Sequence, residues 1–251
     1  MKLPVMVAAM LGVGLLAPAQ NPPIRVLASR GVQAVIEELR PQAEQAAGSK
    51  TMIQYSSSTD LKARIEGGEP FDVAIVTTEL MDELMKTGRV AAGTRVEVAR
   101  AGVGVGIRVG APKPDIKTSD ALKQALLKAK AVTYAQDGAS RPHVERMFDR
   151  MGIKAEMAKK TLLEVGSVRS TARVADGSAD LVLTLISEIL PVKGIELLGP
   201  LPPEHQNYVA FAAAVGAKAQ DAASAKKLIA SLTKPDVLMS VLKAKGMEPV
   251  K

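Results

Sequence analysis

Four short segments hold most of the side chains able to engage a ligand: Ser29-Arg30-Gly31, Ser57-Ser58, Asp137-Gly138-Ala139-Ser140-Arg141 and Gly166-Ser167-Val168-Arg169. Each follows a β-rich run and precedes a helical pattern. At such junctions backbone N–H groups and hydroxyls converge, and together they suit an oxyanion. Arg30 adds a fixed positive charge and a planar fork matched to carboxylate. Pro142 fits the first turn of a helix, which makes Ser140 or Arg141 its cap and Ser140 a candidate donor into a cleft. The same hydroxyls are preferred helix caps, so each has a purely structural alternative; for Arg30 that alternative is an exposed charge at a helix start.

Other chemistries find little support. No Cys is present, which removes disulfides, thiolate metal sites and thiol nucleophiles. His143 and His205 are far apart with no second His at ligand spacing, so surface or packing roles are expected. No Gly-x-Ser-x-Gly turn occurs, and no His is placed to activate a serine, so a hydrolase or transferase on a similar frame ranks below a binder. Gly102-x-Gly104-x-Gly106 has the wrong spacing for a dinucleotide fingerprint and lies inside a strand pattern. Met pairs in 79–86 and 147–151 follow helical spacing and read as core filling. Arg100 either faces a cleft or joins a surface salt bridge. No cofactor and no metal are expected.

The elements that must position these residues alternate. With 251 residues, 47% hydrophobic and 24% charged, the chain is long enough for two modest lobes. Aromatics are 2%, too few for base-stacking platforms, and the 33 Lys plus Arg are interleaved with 26 Asp plus Glu. No nucleic-acid partner is expected, and the net charge of +7 reads as a solvated surface or as attraction to an anion. Strand patterns at 24–28, 51–55 and 72–76 alternate with helical ones at 33–46, 61–66 and 79–86, which implies a mainly parallel sheet flanked by helices. A second block repeats the rhythm: helices at 119–130, 140–151 and 168–176, and strands at 131–135, 162–165 and 180–186. The run 195–198, a strand at 208–215 and helices at 219–232 and 235–243 close the chain. The long stretch 96–109 has period two, but its apolar positions switch from even to odd around Ala101-Gly102. A bulge or change of sheet is expected there, and we read it as a crossover between lobes. Two lobes joined by crossover strands leave a cleft, with hinge closure as the natural motion.

Residues 1–19 read as a cleavable signal peptide: Lys2, an uncharged apolar run from Val5 to Ala17, then Ala17-Pro18-Ala19. The run is shorter than the roughly 20 residues a membrane span needs. A soluble periplasmic protein is expected.

Ile24-Arg25-Val26-Leu27-Ala28-Ser29, Ser56-Ser57-Ser58-Thr59-Asp60-Leu61 and Ile65-Glu66-Gly67-Gly68-Glu69-Pro70-Phe71-Asp72-Val73 resemble the extracellular solute-binding proteins of ABC importers, in particular the molybdate-binding group. Ser187-Glu188-Ile189, Gly199-Pro200-Leu201-Pro202 and Lys245-Gly246-Met247 extend the likeness over nearly all the chain after the signal segment. The resemblance implies an α/β, two-lobed type II periplasmic binding protein fold, with lobe 1 at 24–100 plus 187–251 and lobe 2 at 101–186. It also implies capture of a small oxyanion, such as molybdate or tungstate, for delivery to an ABC permease. In that group a serine of the Ser-Ser-Ser-Thr turn binds the ligand; ungapped counting from Glu66 places this role on Ser58, with Ser57 next. The serine that the group carries in the first loop corresponds to Gly31, which leaves a backbone N–H, with Ser29 as a substitute hydroxyl. Ser167 matches a position that contacts through its backbone, and the group's tyrosine before Ser187 is Leu185 here. The expected function is therefore a monomeric binder of a small anion and not an enzyme. An organic carboxylate, sulfate or phosphate is the alternative ligand. Neutral donors, chiefly Ser58, Ser57, Ser140 and backbone N–H groups such as that of Ser167, are expected to form the site, with Arg30 or Arg141 as candidates to set its charge.

Overall fold

The computed structural model describes residues 21–250, so the expected signal segment lies outside the described residues. In chain order the strands are β1 (Ile24–Ser29), β2 (Thr51–Ser56), β3 (Val73–Thr77), β4 (Val96–Arg108), β5 (Val132–Ala135), β6 (Thr161–Glu164), β7 (Leu181–Leu185), β8 (Ile195–Pro200), β9 (Tyr208–Val215) and β10 (Met247–Glu248). The helices are α1 (Gln33–Ala47), α2 (Ser58–Glu66), α3 (Thr78–Lys86), α4 (Ser119–Lys128), α5 (Arg141–Arg150), α6 (Lys154–Ala158), α7 (Ser167–Ala175), α8 (Ile186–Ile189), α9 (Ala222–Leu232) and α10 (Pro235–Leu242).

The strands run β2-β1-β3-β9-β4-β7-β5-β6, with β8 and β10 also paired to β4. Each half contains a parallel trio, β2-β1-β3 and β6-β5-β7, and the two trios are joined through antiparallel β9 and β4. Strands buried on both faces need apolar residues at nearly every position, which explains the continuous apolar run 73–76 of β3. Its Val73 and Ile75 enter the main core beside Val26 and Ala28, while Ala74 and Val76 face a second cluster with Leu27, Leu61, Met81 and Leu84.

β4 is the crossover. Through Gly102 it pairs with β9, and from Val103 it pairs with β7, so the change of partner falls at the expected place. The bulge does not. The ladder to β9 slips between Glu97 and Ala99, and from Ala99 onward the odd positions Ala101, Val103, Val105 and Ile107 face the main core. The extra residue is Val98, because an added residue reverses the inward face where it is inserted and not where the glycines stand.

The return path also differs from the 187 boundary. Ile195–Pro200 pairs with Gly104–Arg108, so β8 still belongs to the second half of the sheet. The chain comes back only through residues 201–207 into β9. Between β7 and β8 lies α8, read in the sequence partly as strand; it packs on the bare side of β4. A Cβ on Gly104 would sit 2.8 Å from Ile186 Cγ1, and one on Gly106 would sit 3.2 Å from Ile189 Cγ2. Gly104 and Gly106 are therefore a seat for α8.

Candidate functional site

The carboxyl ends of the parallel strands from both halves face one another across a narrow cleft. The first half contributes Ser29 and Arg30 after β1 and Ser57 and Ser58 after β2. From the second half come Asp137, Gly138 and Ala139 after β5, Gly166 and Ser167 after β6, and Leu185 and Glu188 after β7. The space between them is about 20 Å3, room for about one water molecule. Arg30, Ser167 and Glu188 also wall an adjoining volume of about 350 Å3 that reaches Glu37 on α1 and Thr171 on α7.

Hydrogen bonds define what each hydroxyl can still do. Ser57 caps α2 by accepting the Asp60 N–H at 3.2 Å. Ser58 Oγ accepts the Thr77 N–H at 3.2 Å, tying the start of α2 to the end of β3. Ser29 Oγ accepts the Gly31 N–H at 3.4 Å. All three are used as acceptors, so their O–H protons remain available to a ligand oxygen. Their capping and tethering roles therefore leave them free to donate. Ser167 differs: its Oγ donates to Glu188 Oε1 at 2.9 Å. The N-termini of α2 and α7 approach from opposite sides and add positive ends of helix dipoles to the cleft. Arg30 is half-buried on the cleft wall and forms no ion pair among the described residues.

Two acids sit among these donors. Asp137 accepts the Gly166 N–H at 2.8 Å and so holds the turn that starts α7. Glu188 receives hydroxyl protons from Ser167 and Thr184, and burial pushes its pKa up against the opposing effect of those hydrogen bonds and the Arg30 charge. Asp137 belongs to the Asp137–Arg141 junction and Glu188 to the Ser187-Glu188-Ile189 segment, but neither acid is marked by the sequence as a site residue. The signal missed was Thr184 four residues before Glu188, spanning a strand-to-helix turn.

Three sequence-derived site residues do not line the cleft. Arg141 is engaged by Glu145 at 2.7 Å and by the Gln136 carbonyl at 2.8 Å. Ser140 is buried one residue behind Ala139, and its side chain makes no capping bond; the turn 137–139 presents Gly138 and Ala139 instead. Gly31 packs away from the cleft: a Cβ there would lie 2.4 Å from Phe211 Cζ and 3.0 Å from Leu185 Cδ1. Its N–H points to Ser29, and its carbonyl accepts from Ser187 Oγ at 2.7 Å. Gly31 and Leu185, the two positions that depart from the resembled group, are thus a single packing event, in which Leu185 and Phe211 fill the space a side chain at 31 needs. Restoring the hydroxyl with Gly31→Ser is expected to cost about 1–3 kcal/mol by overpacking and to create no anion affinity. Urea denaturation with calorimetry checks this; an unchanged midpoint would mean that Phe211 yields.

Elsewhere, Arg100 pairs with Glu248 at 2.9 Å and lies 4.4 Å over the Tyr208 ring, so it braces β4 against β10 and β9. The two His, distant in sequence, meet in space: His143 Nε2 is 2.6 Å from the His205 carbonyl, and His205 Nε2 is 2.6 Å from Ser119 Oγ. Both are buried, which lowers their pKa values. They form a packing cluster outside the cleft, and no group of three or more potential metal ligands occurs among the described residues.

A family model for bacterial extracellular solute-binding proteins matches residues 24–248. The chain belongs to that family. Among solved structures, this solute-binding protein is similar to the periplasmic molybdate-binding protein of Azotobacter vinelandii, with a TM-score of 0.77 and 17% identity over 91% of this chain and 100% of that one. It is also similar to the sulfate-binding protein SubI of Mycobacterium tuberculosis, with a TM-score of 0.67 and 19% identity over 92% and 88%. At these identities the likeness concerns the fold, which is the expected type II periplasmic binding protein architecture. A relative in sequence is the aconitate isomerase of a Pseudomonas species, 33% identical over 243 residues, covering 94% of this chain and 91% of that protein.

Proposed function

We propose that this solute-binding protein, exported through its amino-terminal segment, captures a small polycarboxylate of the aconitate class between its lobes and presents it to an ABC permease. The observation that carries the reading is Arg30: a half-buried guanidinium, without an ion pair among the described residues, on the wall of a cleft that also offers three hydroxyl protons and two helix N-termini. A guanidinium pairs with a carboxylate through two parallel hydrogen bonds. Leu185 offers apolar surface to a carbon skeleton at the position where the molybdate-binding group has tyrosine. The adjoining 350 Å3 leaves room for a ligand larger than a tetrahedral oxyanion once the lobes part. The relative named aconitate isomerase supports the same ligand class.

Thermal unfolding with cis-aconitate, trans-aconitate, citrate, molybdate and sulfate tests the reading. A ligand present at a hundredfold excess over its Kd stabilises the folded state by about 2.7 kcal/mol. For a chain of this size that raises the melting temperature by about 5–10 °C. The rise is expected with aconitate and not with molybdate or sulfate; a rise with molybdate alone overturns the proposal.

A further inference from the structure

Glu188 is an unusual residue to find in an anion-binding cleft. It sits on α8, a four-residue turn held against β4 by the contact of Ile186 and Ile189 with the glycine face at 104 and 106. The residue lines both the narrow cleft and the larger volume beside it. Both oxygens accept hydroxyl protons, from Ser167 and from Thr184, and it forms no ion pair among the described residues. A purely binding site gains nothing from an acid aimed at its own anion, since an ionised carboxylate repels the ligand and burial is costly without a counter-charge.

We propose that Glu188 is a catalytic residue, the base that moves a proton between the two allylic carbons of a bound propene tricarboxylate and so interconverts its cis and trans forms. The inference rests on the polycarboxylate reading above and departs from the expectation of a binder without turnover. Rotation about the double bond is blocked, so isomerisation needs the bond to migrate. Glu188, ionised, takes a proton from the methylene carbon; that C–H bond breaks and its electron pair joins the double bond in a three-carbon anion delocalised into the attached carboxylates. The same proton returns from the Glu188 carboxyl to the former vinyl carbon, where a new C–H bond forms, and the double bond now lies on the other side. No oxidant, reductant or co-reactant is consumed, and Glu188 ends as it began. Arg30 and the α2 N-terminus would bear the charge that spreads onto the carboxylates.

The surroundings suit the role. Burial raises the basicity of Glu188 above that of an ordinary glutamate, which favours abstraction of a weakly acidic C–H proton. The charged groups that share its two cavities are Arg30 after β1, Asp137 after β5 and Glu37 on α1. Asp137 is engaged by the Gly166 N–H, and Glu37 by the Tyr55 hydroxyl at 2.8 Å and by Arg40. Arg30 is therefore the cation poised to steady the ionised form.

The test follows purified protein with cis-aconitate or trans-aconitate in D2O by proton NMR, alongside calorimetric binding of each isomer. The wild type is expected to bring either isomer to the same mixture, with a pH–rate profile whose rising limb lies above the usual glutamate range. Glu188→Gln is expected to bind both isomers within about threefold of wild type and to lose about a thousandfold in turnover, as removal of a general base does. Should Glu188→Gln fail to melt cooperatively, Ser167→Ala is the second variant: removing a donor to the carboxylate is expected to move the rising limb to higher pH. Unchanged turnover in Glu188→Gln, or an unmoved limb in Ser167→Ala, overturns the assignment. Binding of aconitate without interconversion by the wild type overturns it while leaving the polycarboxylate reading in place; no binding of either isomer removes both.

Discussion

Arg30→Ala is expected to weaken polycarboxylate binding about 100-fold while leaving the unliganded protein as stable as wild type. The guanidinium makes no ion pair among the described residues, so its removal breaks no salt bridge of the fold. Surface changes of that kind move stability by about 0.5 kcal/mol or less. Binding is different. A carboxylate held in a cleft walled by Leu185, Ser58 and Ser167 is largely desolvated, and stripping its charged partner leaves a poorly compensated anion, which costs about 2–5 kcal/mol. Arg30→Lys keeps the charge but loses the fork, so it is expected to fall between the two. Titration calorimetry with the ligand that raises the melting temperature decides it, and wild-type affinity in Arg30→Ala would place the anion elsewhere.

The other large effect concerns stability. Asp72, whose side chain is 3% exposed, accepts four hydrogen bonds: the Arg25 N–H at 2.8 Å, Arg25 Nε at 3.0 Å and Nη2 at 2.9 Å, and the Gln220 N–H at 2.8 Å. It thereby joins β1, the start of β3 and the segment before α9. Asp72→Ala leaves these donors facing a void, and removing one member of such a buried pair costs about 3–5 kcal/mol; the Arg25 side chain keeps 26% exposure, which puts the expected loss near the lower end. The pH dependence has a definite sign. Burial pushes the Asp72 pKa up, but the Arg25 guanidinium and the backbone donors outweigh it and hold the carboxyl below its ordinary range. A carboxyl whose folded value lies below its unfolded one stabilises the fold above about pH 4 and loses that contribution as pH falls through the folded value. Glu44 follows the same course: burial is outweighed by Thr51, Arg40 and Lys50, which lower it to about 2. Wild-type stability is therefore expected to drop between about pH 4.5 and 2, and Asp72→Asn to flatten part of that slope. Urea titration across this range checks both statements, and a loss below about 1 kcal/mol in Asp72→Ala would contradict the first.

Much of the secondary structure was legible. The strand patterns at 24–28, 51–55 and 208–215 and the helical patterns at 33–46 and 79–86 fall within a residue or two of β1, β2, β9, α1 and α3. Legibility failed where elements are short. α6 has five residues and α8 four, too few for a period to register, and β10 exists because Met247 and Glu248 pair with Ala101 and Arg100. In the candidate site, Ser57 and Ser58 were readable because a cap is recognised by its neighbours in the chain, while Ser140 was overestimated for the same reason: a good cap residue can still face the interior.

The sequence by itself determined the alternation of strands and helices, the two-part organisation, the partner change at Gly102 and the positions of the strand-to-helix junctions, since all of these follow from periodicity and capping within some ten residues. Tertiary structure alone decided which junctions meet. The packing of Gly31 with Leu185 and Phe211, the placement of Glu188 beside Ser167, and the meeting of His143 with His205 join residues 21 to 180 positions apart in the chain. Such contacts depend on the order and register in which strands cross between the halves of the sheet. Local spacing carries no record of that register: a slip of one residue, as at Val98, sends every later side chain to the opposite face.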